Sequence, residues 1–135
     1  MAEEIARDWM LSAMADLKTM DHLLDDEYLT HIVAFHAQQC IEKSFKSVLE
    51  FNSLRVPKEH STLRLFGMIK DIVELEIDTY ILVDLDDLYI ESRYPGDLGL
   101  LPNGKPGKED AVEFYNFARK IFDDIQEHLD LKIQQ

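Results

Sequence analysis

A chain of 135 residues, 46% hydrophobic and 30% charged, is long enough for one self-sufficient core and reads as a single globular domain over residues 1–135. Its formal net charge of -13, from 14 Lys and Arg against 27 Asp and Glu, argues against a broad footprint on nucleic acid or anionic lipid, because phosphate binding needs clustered cations; a local basic pocket stays open. The single cysteine, Cys40, excludes an internal disulfide, and together with an acidic N-terminus and no apolar run near the ~18 residues of a membrane span it predicts a cytoplasmic protein without signal peptide.

In chain order, residues 3–24 place Ile5, Trp9, Ala13, Leu17, Met20 and Leu24 three and four apart, which predicts a helix with one buried stripe. Asp25, Asp26 and Glu27 follow as acidic caps for the next helix, since carboxylates there accept from free N–H groups and favour the positive end of the dipole. The stretch 26–52 is the longest uninterrupted helical pattern. On a wheel of about 100° per residue, Val33, Ala34, Ala37, Cys40, Ile41, Phe45, Val48 and Leu49 fill one half. The other half is mixed: His36, Gln39, Lys43 and Lys46 form a row, with Tyr28, Ile32 and Phe35 among them. Such a helix serves a core on one side and a partner or ligand on the other.

Pro57 ends that pattern, and Ser61 caps a shorter helix whose apolar side is Leu63, Phe66, Ile69, Ile72 and Val73. Residues 78–91 fit either a buried strand, through Tyr80-Ile81-Leu82-Val83, or a helix, through Leu82, Leu85, Leu88 and Tyr89. Helix is preferred, because a lone strand has no sheet to join. Residues 94–107 hold three of the four prolines and four of the five glycines and form a long loop, a feature that is usually functional or mobile in a compact domain. Residues 108–131 then carry Ala111, Phe114, Tyr115, Ala118, Ile121, Phe122, Ile125 and Leu129 in a regular stripe. The expected architecture is all-α, an up-and-down bundle with a Gly/Pro loop before the last helix.

The run Ala34-Phe35-His36-Ala37-Gln38-Gln39-Cys40-Ile41-Glu42-Lys43-Ser44-Phe45-Lys46, the pair Trp9 and Leu17, Pro57 and His60 ahead of a Leu-rich helix, and Arg93-Tyr94-Pro95 together resemble the HEPN domains (higher eukaryotes and prokaryotes nucleotide-binding). The resemblance covers almost the whole chain. It implies a five-helix bundle that pairs into a homodimer, in a bacterial or archaeal protein working beside a separate minimal nucleotidyltransferase in a toxin–antitoxin-like pair. Many members of the family are metal-independent endoribonucleases marked by Arg, four to six residues, then His in the C-terminal part. This sequence departs from that pattern: after Arg93 the next histidine is His128, and Arg119 to His128 is too wide. Arg55-x4-His60 meets the spacing, but in an interhelical turn containing Pro57.

Three functions follow as alternatives. A nucleotide-binding or transferase-partner module would use His36, Gln39, Lys43 and Lys46 for phosphate and base, Arg93 as a bidentate phosphate contact and Tyr94 as an aromatic face; Tyr28, Ile32 and Phe35 would then cover a dimer contact. An endoribonuclease toxin would need Arg55 and His60 as a catalytic pair, His as acid or base and Arg on the developing phosphorane. A plain assembly domain would bind nothing, its lysines paired with Glu42, Glu50 or other acids. No cofactor and no metal site is expected. His31 and His36 point about 140° apart on a helix, and Asp84, Asp86 and Asp87 read as a solvated helix face. No HExxH, CxxC, GxxxxGK[ST], GxSxG or nucleotidyltransferase motif occurs in the sequence.

Overall fold

The computed structural model describes residues 1–91 and 105–133. Five helices follow in order: α1 (Ala2–Leu23), α2 (Thr30–Phe51), α3 (Thr62–Ile69), α4 (Thr79–Glu91) and α5 (Lys108–Leu129), with a short 3-10 turn Glu27–Leu29 ahead of α2. The ambiguous stretch at 78–91 is a helix, and the described residues contain no strand. Most of the predicted Gly/Pro loop, with Arg93 and Tyr94, lies outside the described residues.

Helix α2 packs substantially against every other helix. α1 and α5 cover one side and touch each other, while α3 and α4 pair on the other. All eight residues of its predicted apolar half are buried, and so are Ala6 and Ala13 on α1, the helix that packs most extensively against it. The stripe on α1 keeps Ala13, Leu17 and Met20 of the expected set, joined by Met14, but its N-terminal part runs along a different line: Ala6 and Met10 are buried, whereas Ile5 is exposed and Trp9 half-buried. α1 is apolar on more than one face, so its periodicity admits two registers, and packing against α2 selects between them.

The capping chemistry is local and readable. The Asp26 carboxylate accepts from the N–H of Tyr28 at 2.9 Å, which tightens 27–29 into the 3-10 turn, so α2 begins at Thr30 rather than at the acidic trio. The Ser61 hydroxyl accepts from the N–H of Arg64 at 3.2 Å, the cap expected of it. A second cap for α3 comes from across the fold. Asp86 on α4 accepts from the N–H of Thr62 at 2.9 Å and of Leu63 at 3.1 Å, and from the Ser61 and Thr62 hydroxyls at 3.0 and 2.7 Å. The solvated face expected for Asp84, Asp86 and Asp87 is thus held by Asp84 and Asp87 alone, both exposed. The buried side of α3 is Leu65 and Ile69, followed by Val73, while Leu63 turns outward. At the C-terminal end Asp130 takes a left-handed conformation (φ 53°) that returns Leu131 and Ile133 to the core, and Arg7 Nη1 donates to the Lys132 carbonyl at 3.0 Å.

Cys40 lies fully buried on α2, and burial, followed by the field of Asp16, holds its thiol pKa far above the ordinary range. A thiol reagent at mild alkaline pH is therefore expected to label the native protein only as fast as the protein unfolds; labelling of Cys40 faster than urea-jump unfolding contradicts the packing. Gly67 is the one glycine inside a described helix, and a Cβ built on it meets nothing within 4 Å. Gly67→Ala is expected to stabilise the fold by about 0.5–1 kcal/mol, measured as a higher urea midpoint at unchanged m-value.

Candidate recognition site on the central helix

A helix surrounded by four others leaves little solvent for polar side chains, yet α2 carries Gln38, Glu42 and Lys46 buried, and α1 carries a buried Asp16. Each ionised group in such a place needs a partner. Two carboxylates provide the organisation. Asp16, 6% exposed, has Oδ1 2.8 Å from His36 Nδ1, from which it accepts when that nitrogen carries the proton, and its Oδ2 accepts from Lys43 Nζ at 2.9 Å. His36 and Lys43 lie two turns apart on one face of α2, so a single residue of α1 can hold both. Both keep part of their surface in solvent, about a quarter of each side chain.

Glu42, 5% exposed, forms the second centre. Its Oε2 accepts from Lys46 Nζ at 3.0 Å, one turn along the helix, and its two oxygens lie 3.2 and 3.3 Å from His60 Nδ1. Gln38 Nε2 donates to the His60 carbonyl at 2.6 Å and more weakly to Glu42 Oε1 at 3.4 Å, and Gln38 Oε1 accepts from Gln39 Nε2 at 2.7 Å. Lys46 Nζ also sits 5.6 Å from the centroid of the Trp9 ring. Above these polar groups runs an aromatic strip. Phe35 meets His36 edge-on at 5.3 Å and stacks on Tyr89 of α4 at 5.9 Å, and Tyr89 lies 5.6 Å from the His60 ring. The two carboxylates, Asp16 and Glu42, are balanced by Lys43 and Lys46.

The residues singled out in the sequence fare differently. His36, Gln39 and Lys43 come together on the half-buried mixed face of α2. Lys46, expected in the same outward row, is instead buried between Glu42 and Trp9 and braces the carboxylate from within. Arg93 and Tyr94 lie outside the described residues. Of the expected dimer contacts, Tyr28 protrudes, with Lys105 Nζ 4.7 Å from its ring centroid, while Ile32 and Phe35 are half-buried and Phe35 is stacked on Tyr89. Arg55 is exposed, and among the described residues no hydrogen bond or ion pair joins it to His60. His31 stands apart from His36: its Nδ1 is buried without a described partner, and burial followed by the charge of Lys105 lowers its pKa. Among the described residues no three His, Cys, Asp or Glu side chains gather where they could hold a metal ion.

The organising residues Asp16, Gln38, Glu42 and Tyr89 were not picked out from the sequence as site residues. One signal was available: Asp16 interrupts the apolar run Ala13, Met14, Leu17, Met20, and a carboxylate inside a buried stripe calls for a buried cation.

An all-α bundle of five helices, built around a central helix whose lysines pair with buried carboxylates, defines the class of small helical-bundle domains. The chain belongs to the HEPN domain family, whose model matches residues 6–128. It is similar to the crystal structure of TT1696 from Thermus thermophilus, with 27% identity, a TM-score of 0.71, and coverage of 90% of this chain and 96% of that one. It is also similar to the crystal structure of ST0689, an archaeal HEPN homologue, with 26% identity, a TM-score of 0.65, and coverage of 92% and 97%. A search of curated proteins found no match.

Removing one member of a buried ion pair strands the other. Glu42→Ala is expected to cost about 3 kcal/mol, because Lys46 loses its charge partner in a buried position. Adding Lys46→Met to that variant should recover a substantial part, as read from paired urea titrations; a double variant no more stable than the single one contradicts the pairing.

Proposed function

We propose that this HEPN domain is a nucleotide-recognising module without catalysis of its own, working as a dimer and as the companion of a minimal nucleotidyltransferase. The observation that carries the reading is the grip of buried Asp16 on both His36 and Lys43. It fixes two cationic or donor groups at the edge of solvent in one orientation, which lowers the entropic cost of meeting a ligand. Lys43 gives one of its three N–H donors to Asp16 and keeps two, and His36 engages through Nδ1 and keeps Nε2. These groups suit a phosphate. The neighbouring Phe35–Tyr89 stack offers an aromatic surface to a base, and Gln39, held by Gln38, keeps its carbonyl oxygen as an acceptor. The dimer reading draws on the family and on the protruding Tyr28.

One observation favours a second reading, a metal-independent endoribonuclease. His60 has Nδ1 at Glu42 while 53% of its side chain meets solvent, the arrangement of an oriented general base. The acidic balance of the chain and the exposed, unjoined Arg55 weigh against it.

The discriminating experiment is a thermal-shift screen with ATP, GTP, ADP-ribose and cyclic nucleotides, with and without the candidate transferase. A bound nucleotide at one hundred times its dissociation constant should add roughly 2.7 kcal/mol, and Lys43→Met and His36→Ala should each abolish most of that gain. No shift from any nucleotide in either condition overturns the reading. Cleavage of labelled transfer or messenger RNA by the parent, lost in His60→Ala, would establish the ribonuclease instead.

A further inference from the structure

Along the buried length of α2 one strip stays within reach of solvent. From Val33 to Leu49 every residue is buried except Phe35, His36, Gln39 and Lys43. At about 100° per residue, Phe35, Gln39 and Lys43 follow one another in steps of about 40° around the helix, and His36 lies about 60° beyond Gln39 on the Lys43 side. Gln39 therefore stands between an aromatic ring and the two side chains suited to phosphate, with its neighbours three and four residues away roughly 5–6 Å off between Cβ atoms. Phe35 is backed by Tyr89 at 5.9 Å, and His36 and Lys43 are backed by Asp16. The order around the helix, aromatic then amide then cation, matches the order of base, sugar and phosphate in a nucleotide.

The amide of Gln39 is oriented from behind. Gln38 is fully buried, and its Nε2 faces two acceptors, the His60 carbonyl at 2.6 Å and the Glu42 carboxylate at 3.4 Å. Its Oε1 is thereby turned toward Gln39 and accepts from Gln39 Nε2 at 2.7 Å. Flipping the Gln38 amide would set oxygen against oxygen, so the carbonyl and the carboxylate fix the polarity of the whole relay. With Nε2 held against Gln38, the Gln39 Oε1 is left without a hydrogen-bond partner among the described residues. The strip thus offers an acceptor between its aromatic and cationic ends, where an O–H or N–H group fits and a phosphate oxygen does not. A neutral oxygen suits the place, since a carboxylate there would compete with phosphate for His36 and Lys43.

We propose that Gln39 is the residue by which this site reads the sugar: its Oε1 accepts from a ribose hydroxyl of a nucleotide whose phosphate lies on His36 and Lys43 and whose base lies on Phe35. This role rests on the strip being a nucleotide site, as proposed, and adds to it a preference for ribonucleotides over their deoxy forms. A deoxy sugar leaves the Gln39 oxygen facing carbon at a half-buried position, and an oriented polar group left unpaired is what penalises the wrong ligand most.

The test is titration calorimetry of the full chain with ATP and GTP and with the 2′-deoxy and 3′-deoxy form of each. The parent should bind at least one deoxy form about threefold or more weakly than the matching ribonucleotide, the loss of one hydrogen bond. Gln39→Met keeps the length of the side chain and removes the acceptor, and Gln39→Ala removes both. In each variant the preference should vanish, because the ribonucleotide falls to the affinity of the deoxy form while the deoxy form stays within about twofold of its value for the parent. The proposal is overturned if the parent binds nucleotide but holds all three sugar forms within about threefold of one another, a result that leaves the nucleotide site itself standing. Persistence of the preference in either variant also overturns it. So does equal weakening of ribose and deoxy forms in the variants, which would place Gln39 against base or phosphate. Binding of none of these nucleotides by the parent overturns the nucleotide site and the sugar reading together.

Discussion

Charge buried on a central helix is the constraint around which this protein is arranged. α2 contacts each of the other helices, so a polar side chain on it is either shielded by a neighbour or limited to a narrow exposed strip. An uncompensated ion in that position costs several kcal/mol, and the chain avoids this with two carboxylate centres. Asp16 ties α1 to α2 through His36 and Lys43; Glu42 ties α2 to the segment before α3 through His60, with Lys46 supplying the opposite charge from one turn away. Ion pairs of this kind add little net stability compared with apolar packing, but they specify a register, since sliding α1 along α2 would leave Asp16 without either partner.

The same groups that neutralise the interior also determine what reaches the surface. Lys43 and His36 are directed to the edge of solvent because their carboxylate lies on α1, whereas Lys46 is drawn inward because its partner is on its own helix and the Trp9 ring lies beside it. A row of four polar residues that looks uniform on a helical wheel is therefore divided into a presented pair and a buried brace. Tyr89 joins this arrangement to α4 by contacting both Phe35 and His60. In the same way Asp86 joins α4 to the start of α3, using a carboxylate from one helix on the free N–H groups of another.

The α2 face that results is polar and aromatic, and it is built from the same side chains that neutralise the bundle interior.

Much of the fold was legible in the residues themselves. The other four helical segments, the Ser61 cap and the buried half of α2 follow from contacts three or four residues apart, which local spacing encodes directly, while the helical state of 78–91 followed from the lack of a sheet for a lone strand to join. The register of α1 was not legible, since Ile5 and Ala6 both continue an apolar pattern and only the surface of α2 decides which turns inward. The candidate site was half legible: helical spacing marked His36, Gln39 and Lys43, while Asp16, 20 residues before His36, and Tyr89 could be joined to them only by folding. Sequence alone determined where the helices lie and which side of α2 and of α5 is apolar, because those depend on near neighbours. Tertiary structure decided which cation meets which carboxylate, because that pairing depends on helices brought together from distant parts of the chain.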